Sequence, residues 1–357
     1  MRALRCRAVH VPMKRPLGTS AARMATAPFL LLDLDTEEGI TGRAHAFCYL
    51  ELAAPAMSRV LAVAGELIAG AVLDPAEVER RCRTRFALLG TQGVVGMALA
   101  ALDVACWDAL SRAANLPLAR FLDGTTTSVA AYNSNGLSLT EPDGLADEAL
   151  ALLDEGFSAV KIRLGRPDAA ADLRAVRAVR AAMPAACVLM ADYNQALSVD
   201  EAIRRGAALQ NEGLYWIEEP VAHDDLAGSA RVAAALATPI QSGENFCGTH
   251  AMATALALRT TDYVMPDLMR IGGVSGWLRA ARLAQAASMP MSSHLYPEVS
   301  AHLLAATPTA HWLEYVDWAE PFLAEGVTIR DGRAVVPDTP GTGVTWDEAA
   351  VRRYAVE

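Results

Sequence analysis

A chain of 357 residues that is 53% hydrophobic and 20% charged has enough apolar surface for one large core or two ordinary ones, which excludes a disordered chain. Its 41 acidic residues against 31 basic ones leave a net charge of −10, the wrong sign for a nucleic-acid or anionic-membrane surface. Six cysteines (Cys6, Cys48, Cys82, Cys106, Cys187 and Cys247) form no CxxC pair and read as reduced thiols of a cytoplasmic protein. No apolar run is expected to reach the roughly 18 residues of a membrane span, and the opening MRALRCRAVHVPMKRP lacks the apolar stretch of a signal peptide.

In chain order, three apolar stretches at 4–11, 27–34 and 40–47 predict strands, with Glu37-Glu38-Gly39 as the turn between the last two. Helical patterns rich in alanine and leucine follow at 53–69, 75–89 and 93–113. Strands followed by helices predict a small α+β domain over residues 1–125. From Ser128 onward, short apolar strands alternate with alanine-rich amphipathic helices. Strands are expected at 129–133, 159–163, 188–192, 215–218, 240–244, 263–267, 291–294 and 312–314. Eight such units predict a (β/α)8 barrel of TIM type over residues 126–320. Residues 321–357, with the turns of PDTPGTG, fall outside that count and are expected to pack back on the N-terminal domain.

The strand ends carry the chemistry. Seven of the eight end in titratable residues: Lys161 with Arg163, then Asp192, Glu218, Glu244, Asp267, His294 and Glu314. In a barrel, the C-terminal ends of all strands converge on one mouth. Asp192, Glu218 and Glu244 come from three adjacent strands, and three carboxylates together repel unless a cation holds them. An all-oxygen donor set suits Mg²⁺ or Mn²⁺ rather than zinc, with Asn194 and Glu219 beside the ligands as supports. Asp267 and His294 end neighbouring strands, and a carboxylate on an imidazole fixes its tautomer and makes it a usable base near neutral pH. Lys161 and Arg163 share one strand face and need an anionic partner, a substrate carboxylate or a ligand carboxylate. Glu314 is expected to act as an acid, its pKa raised by burial. A divalent cation, a lysine and such an acid fit removal of a proton α to a carboxylate, because they meet the charge that develops on the enolate oxygens.

The stretches AVKIRLG (159–165), ADYNQ (191–195), WIEEP (216–220), GEN (243–245), MPDLMRIGGVSGW (265–277) and SSHLYPEVSAHLLAATPTAHWLE (292–314) resemble the enolase superfamily, specifically its mandelate racemase subgroup, over essentially the whole chain. That superfamily's histidine or lysine base with Mg²⁺ is a known pattern. The resemblance implies Asp192, Glu218 and Glu244 as metal ligands and His294 with Asp267 as the base on one face of the α-carbon. It further implies Glu314 as the acid toward the enolate, Lys161 beside the substrate carboxylate, and a capping loop near residues 11–22. It also implies a small-molecule carboxylate as partner and a homo-oligomer, an octamer.

Three features depart from that pattern. Arg163 stands where a second lysine serves as base for the opposite face, and arginine stays protonated to far higher pH. Gly136 stands where a serine hydroxyl is expected. Lys14 and Arg15 lie in a cap segment that is mostly uncharged in the racemase, either favouring a polar substrate or facing solvent. The expected activity is racemisation of a 2-hydroxy acid; the alternatives are dehydration of a sugar acid by one His–Asp pair, and a non-catalytic member of the fold. No GxGxxG, GxxxxGK, HExxH or GxSxG is present. Cys247 and the other six histidines read as structural.

Overall fold

The computed structural model describes residues 1–20, 22–139 and 144–356. Its N-terminal part is an antiparallel sheet in the order β1 (Ala3–Gly18), β2 (Arg23–Asp35), β3 (Thr41–Phe47). β2 is the middle strand, paired on both edges, and its residues 27–35 are all buried: a continuous apolar run over 27–32, then Asp33 and Asp35 either side of Leu34. Helices Ala53–Ile68, Pro75–Arg85 and Gly93–Ala113 follow. Asp74 caps the second, accepting from the Ala76 N–H at 2.9 Å, with Pro75 in the first turn.

The helix Gly93–Ala113 is the joint of the molecule. It lies so close on β3 that Gly42 has no room for a side chain: the Ala105 carbonyl oxygen and the Ala109 methyl occupy the place of a Cβ. By length and composition alone it is long and apolar enough to cross a membrane, an 18-residue window reaching a mean hydropathy of 1.6, but 61% of that window is buried inside the fold, and Asp103 and Asp108 interrupt the apolar run. Both carboxylates are buried and satisfied. Asp103 accepts from the Ser275 N–H (2.9 Å) and hydroxyl (2.6 Å) of the barrel, and Asp108 from the N–H groups of Arg43 (2.8 Å) and Thr342 (2.6 Å). One helix thus ties cap, barrel and C-terminal segment together.

The barrel is built from β4 (Ser128–Asn133), β5 (Ala159–Arg163), β6 (Val188–Asp192), β7 (Leu214–Glu218), β8 (Ile240–Ser242) and β9 (Tyr263–Val264), all parallel. β10 (Leu313–Tyr315) returns to pair with β4, Leu313 opposite Ala131, and closes the ring. Two strands stop short of their expected ends. β8 halts at Ser242 because Gly243 turns to φ 138°, and β9 halts at Val264, ahead of Pro266, which has no N–H for the ladder. Glu244 and Asp267 therefore stand on loops. The seventh stave is no regular strand: Met291 and His294 make isolated bridges to Val264 and Asp267.

The C-terminal segment serves both units rather than the cap alone. Its hairpin β11 (Ile329–Arg330) and β12 (Arg333–Val335) pairs antiparallel with β4 of the barrel. Farther on, the Trp346 indole donates to Asp33 at 2.8 Å, Arg7 pairs with Glu348 at 2.6 Å, and Val9 bridges Ala355 on the cap.

His302 locks barrel to tail: its Nδ1 accepts from the Ala119 N–H at 3.2 Å, and Nε2 faces the Thr342 carbonyl at 3.2 Å. Burial lowers its pKa from 6.5 to about 4. Below pH 6.5 the unfolded chain binds a proton that the folded site refuses until about pH 4, so this residue's contribution to stability is lost as pH falls through that window. Melting temperatures from pH 7 to 4 should fall less steeply in His302→Gln than in the parent; parallel curves would contradict this.

Candidate active site

The parallel register brings the strand-end residues together. Asp192 stands opposite Glu218 on one side and Arg163 on the other. Lys161, on the same face as Arg163 and one pleat deeper, is only 2% exposed. Its Nζ lies 2.7 Å from Glu218 Oε1, 2.8 Å from Glu314 Oε1 and 3.2 Å from Asp192 Oδ2. Of the partners expected for Lys161, the structure supplies carboxylates of the proposed metal site and the acid at the eighth strand.

Across the mouth, His294 Nδ1 lies 2.8 Å from Asp267 Oδ2. The other Asp267 oxygen accepts from the N–H groups of Met269 (2.8 Å) and Arg270 (2.9 Å), so the carboxylate is fixed by the start of the helix it caps. His294 Nδ1–H therefore donates to Asp267, and Nε2 is left facing the mouth, 3.3 Å from Glu244 Oε2 and 3.8 Å from Glu314 Oε2. The Leu295 N–H donates to Glu314 Oε2 at 3.0 Å. Asn194 donates its main-chain N–H (2.7 Å) and its side-chain amide (3.0 Å) to Asp192. Asn194, Gln195 and Glu219 have φ of 44°, 66° and 35°, backbone strain of the sort that gathers at functional sites.

Burial pushes Glu218 well above the usual carboxylate range, Asp192 and Glu314 adding to it against Lys161, and burial with Glu244 does the same to Glu219. Glu314 behaves otherwise than expected. Burial would raise it, but Lys161 and His294 outweigh burial and hold it down at about 2. It is an ionised partner of Lys161, not a neutral acid. Burial lowers the His294 imidazole, yet Glu244, Glu314 and Asp267 together drive it up to about 10. The chain's own charges therefore keep it protonated at neutral pH, where the sequence reading expects a free base.

Among the described residues no three ligating side chains already form a closed cluster; Lys161 reaches between two of the carboxylates, and Glu244 leans to His294. The donor chemistry nonetheless fits a hard divalent cation. Glu218 is fully buried with a carboxyl that resists ionisation, Asp192 and Glu244 flank it, and one lysine does not offset three carboxylates. A cation held by Asp192, Glu218 and Glu244 would also remove the largest of the charges that keep His294 protonated.

Other expected residues fall elsewhere. Arg163 is buried and pinned to main chain: Nη1 donates to the Gly136 carbonyl at 2.7 Å and Nη2 to the Ser134 carbonyl at 2.9 Å. Gly136 itself sits at φ 61°, so a serine there would be strained, and its Cβ would displace the end of the Glu148 side chain. The cap segment 11–22 is not a loop throughout, for β1 continues to Gly18. Its tip places the Ser20 hydroxyl 3.0 Å from the carbonyl oxygens of Tyr193 and Asn194, over the turn that follows Asp192. Lys14 lies 3.2 Å from Asp317 and 3.4 Å from Glu320, and Arg15 pairs with Glu155 at 2.7 Å. Both pair the cap with the barrel; exposed pairs of this kind contribute about 1 kcal/mol or less.

Sequence reading missed Asn245, Arg270 and Tyr49. Asn245 donates to both oxygens of Glu219 (3.0 and 2.8 Å), and Arg270 lies with its guanidinium carbon 4.6 Å from the Tyr49 ring centre. Asn245 and Arg270 lie inside the quoted stretches GEN and MPDLMRIGG; Tyr49 carried no signal.

A closed parallel barrel with carboxylates and a His–Asp pair at its C-terminal mouth, under an α+β cap, defines an acid–base enzyme scaffold of the enolase type. Residues 144–350 match the enolase C-terminal domain-like family and residues 1–123 the mandelate racemase/muconate lactonizing enzyme N-terminal domain. The chain belongs to the mandelate racemase subgroup of the enolase superfamily. An enolase of an alpha proteobacterium, solved with bound Mg²⁺, is 44% identical over 99% of both chains at a TM-score of 0.97. A Bradyrhizobium enolase complexed with magnesium and mandelic acid is 40% identical, covering 100% of this chain and 98% of that one, at a TM-score of 0.95. The L-talarate/galactarate dehydratase of Salmonella typhimurium is 36% identical over 267 residues, 74% of this chain and 67% of its own length.

Because Glu244 makes the largest upward contribution to His294, Glu244→Gln should lower the pH at which the imidazole titrates, followed by NMR of the histidine ring. An unchanged titration would contradict the assigned balance of charges.

Proposed function

We propose that the chain is a Mg²⁺-dependent enzyme that removes the α-proton of a 2-hydroxy carboxylate with His294 and then expels a β-hydroxyl as water. The observation that carries the proton step is the Asp267–His294 pair at 2.8 Å, which leaves Nε2 facing the carboxylate cluster. Mg²⁺ held by Asp192, Glu218 and Glu244 would supply positive charge to the substrate carboxylate as it becomes an enediolate. Its presence in the neighbours solved with bound magnesium supports that assignment.

The chain's residues do the rest. His294 Nε2 takes the α-proton, and the C–H electron pair becomes the double bond of the enediolate. Lys161 Nζ donates a hydrogen bond to the developing negative oxygen, and Glu314 keeps that ammonium in place. The protonated imidazole then returns its proton to the β-hydroxyl. The C–O bond breaks, water leaves, and the resulting enol becomes a 2-keto acid.

Arg163 favours dehydration over racemisation. Its guanidinium is tied to two main-chain carbonyls and stays protonated, so it supplies no base to the second face. Among the described residues, the buried polar atoms without a hydrogen-bond partner include the Tyr49 hydroxyl, Asn194 Oδ1 and Arg163 Nε, which suit a substrate bearing several hydroxyls. The dehydratase relative agrees with this. Racemisation of an aryl 2-hydroxy acid is the second reading, favoured by the neighbour complexed with mandelic acid.

Aldonic and aldaric acids incubated with enzyme and Mg²⁺ should include one that yields a 2-keto acid, detected as its semicarbazone. His294→Asn should lose that activity by about 10²–10⁴-fold. Inversion of substrate configuration without any keto acid would replace this reading with the racemase.

A further inference from the structure

We propose that Arg270 is a positioning residue that, through Asn245, holds the Glu219–Glu244 edge of the carboxylate cluster and ties it to the cap. The inference rests on the Mg²⁺-dependent reading above.

An asparagine side chain presents a donor at one end and an acceptor at the other, and the wrong end toward a carboxylate repels it. Asn245 gives its NH₂ to Glu219 Oε1 (3.0 Å), Glu219 Oε2 (2.8 Å) and Glu244 Oε1 (3.4 Å). What fixes that orientation is behind it: Arg270 Nη1 donates to Asn245 Oδ1. With a cationic donor on the oxygen, the amide cannot turn over, and its NH₂ must face the two glutamates. Glu219 needs such a brace, because it is buried and strained at φ 35°.

Arg270 is itself held from two directions. Its main-chain N–H donates to Asp267 at 2.9 Å, which places it beside the His294 pair. Its guanidinium carbon lies over the Tyr49 ring of the N-terminal domain, 4.6 Å from the ring centre. A planar group can stack on a ring and donate along its edge at once, whereas an ammonium is a point charge and does only one of these well. The cap therefore touches the carboxylate cluster through one continuous chain: Tyr49, Arg270, Asn245, then Glu219 and Glu244. Arg270 needs no contact with substrate to act.

The test is Mg²⁺ binding to the intact protein by titration calorimetry, with circular dichroism and melting curves to confirm folding. Arg270→Met and Asn245→Ala should each weaken Mg²⁺ binding on the order of 10–100-fold. The double variant should be no weaker than the worse single one, because both cut the same link. Arg270→Lys, which retains a donor for Asn245 Oδ1, should recover part of the loss; it also carries the test should Arg270→Met fail to fold, with binding expected a few-fold below the parent. Folded variants that bind Mg²⁺ within twofold of the parent, or single losses that multiply in the double variant, would overturn the inference alone. A parent protein that binds no Mg²⁺ would overturn the proposed function along with it.

Discussion

Like charges gathered where water is scarce are the constraint on which this molecule turns. Six carboxylates (Asp192, Glu218, Glu219, Glu244, Asp267 and Glu314) converge at one end of the barrel, and five of them are nearly or fully buried. Such a cluster persists only if each charge is matched or suppressed. Lys161 matches one side, bonding Glu218 and Glu314 directly. His294 matches the other, between Asp267 and Glu244. Asn245 and Arg270 brace the third edge. What remains, the upward push on Glu218 and Glu219, is a surplus that a divalent cation resolves.

The fold supplies the means to build that cluster. Parallel strands place successive C-terminal ends side by side, so one side chain from each reaches the same space without any long-range design in the sequence. The cap contributes enclosure. The Ser20 hydroxyl sits on the turn after Asp192, and Tyr49 lies on Arg270. The shared helix Gly93–Ala113, with Asp103 on the barrel and Asp108 on the tail, holds the cap at its place over the mouth. Enclosure lowers the local dielectric and strengthens every charge contact beneath it.

Much of this was legible in the chain because periodicity exposes it. Titratable residues recurring at the ends of apolar runs, one per βα unit, mark Asp192, Glu218, Glu244, Asp267 and His294 as groups that meet at one end of a barrel, and the fold does bring them together. What the sequence hid depends on distances across loops. Glu314 looks like a buried acid until Lys161 is found at 2.8 Å. Lys14 and Arg15 read equally well as favouring a polar substrate or as facing solvent, and only the fold pairs them with Asp317, Glu320 and Glu155. Arg163 is a base or a strut according to where the carbonyls of Ser134 and Gly136 point, and that follows from the left-handed turn at Gly136. Asn245 and Arg270 meet only because two loops from different strands fold over each other.

The claim that most needs a direct test is that proton transfer occurs from one face only. Proton NMR in D₂O with Mg²⁺, run separately on (R)- and (S)-mandelate, addresses it without requiring the physiological substrate. One-sided chemistry predicts that a single enantiomer exchanges its α-proton for deuterium, without inversion, and that His294→Asn abolishes the exchange. Exchange of both enantiomers with interconversion would contradict it, and would mean that a second base reaches the opposite face despite the anchoring of Arg163.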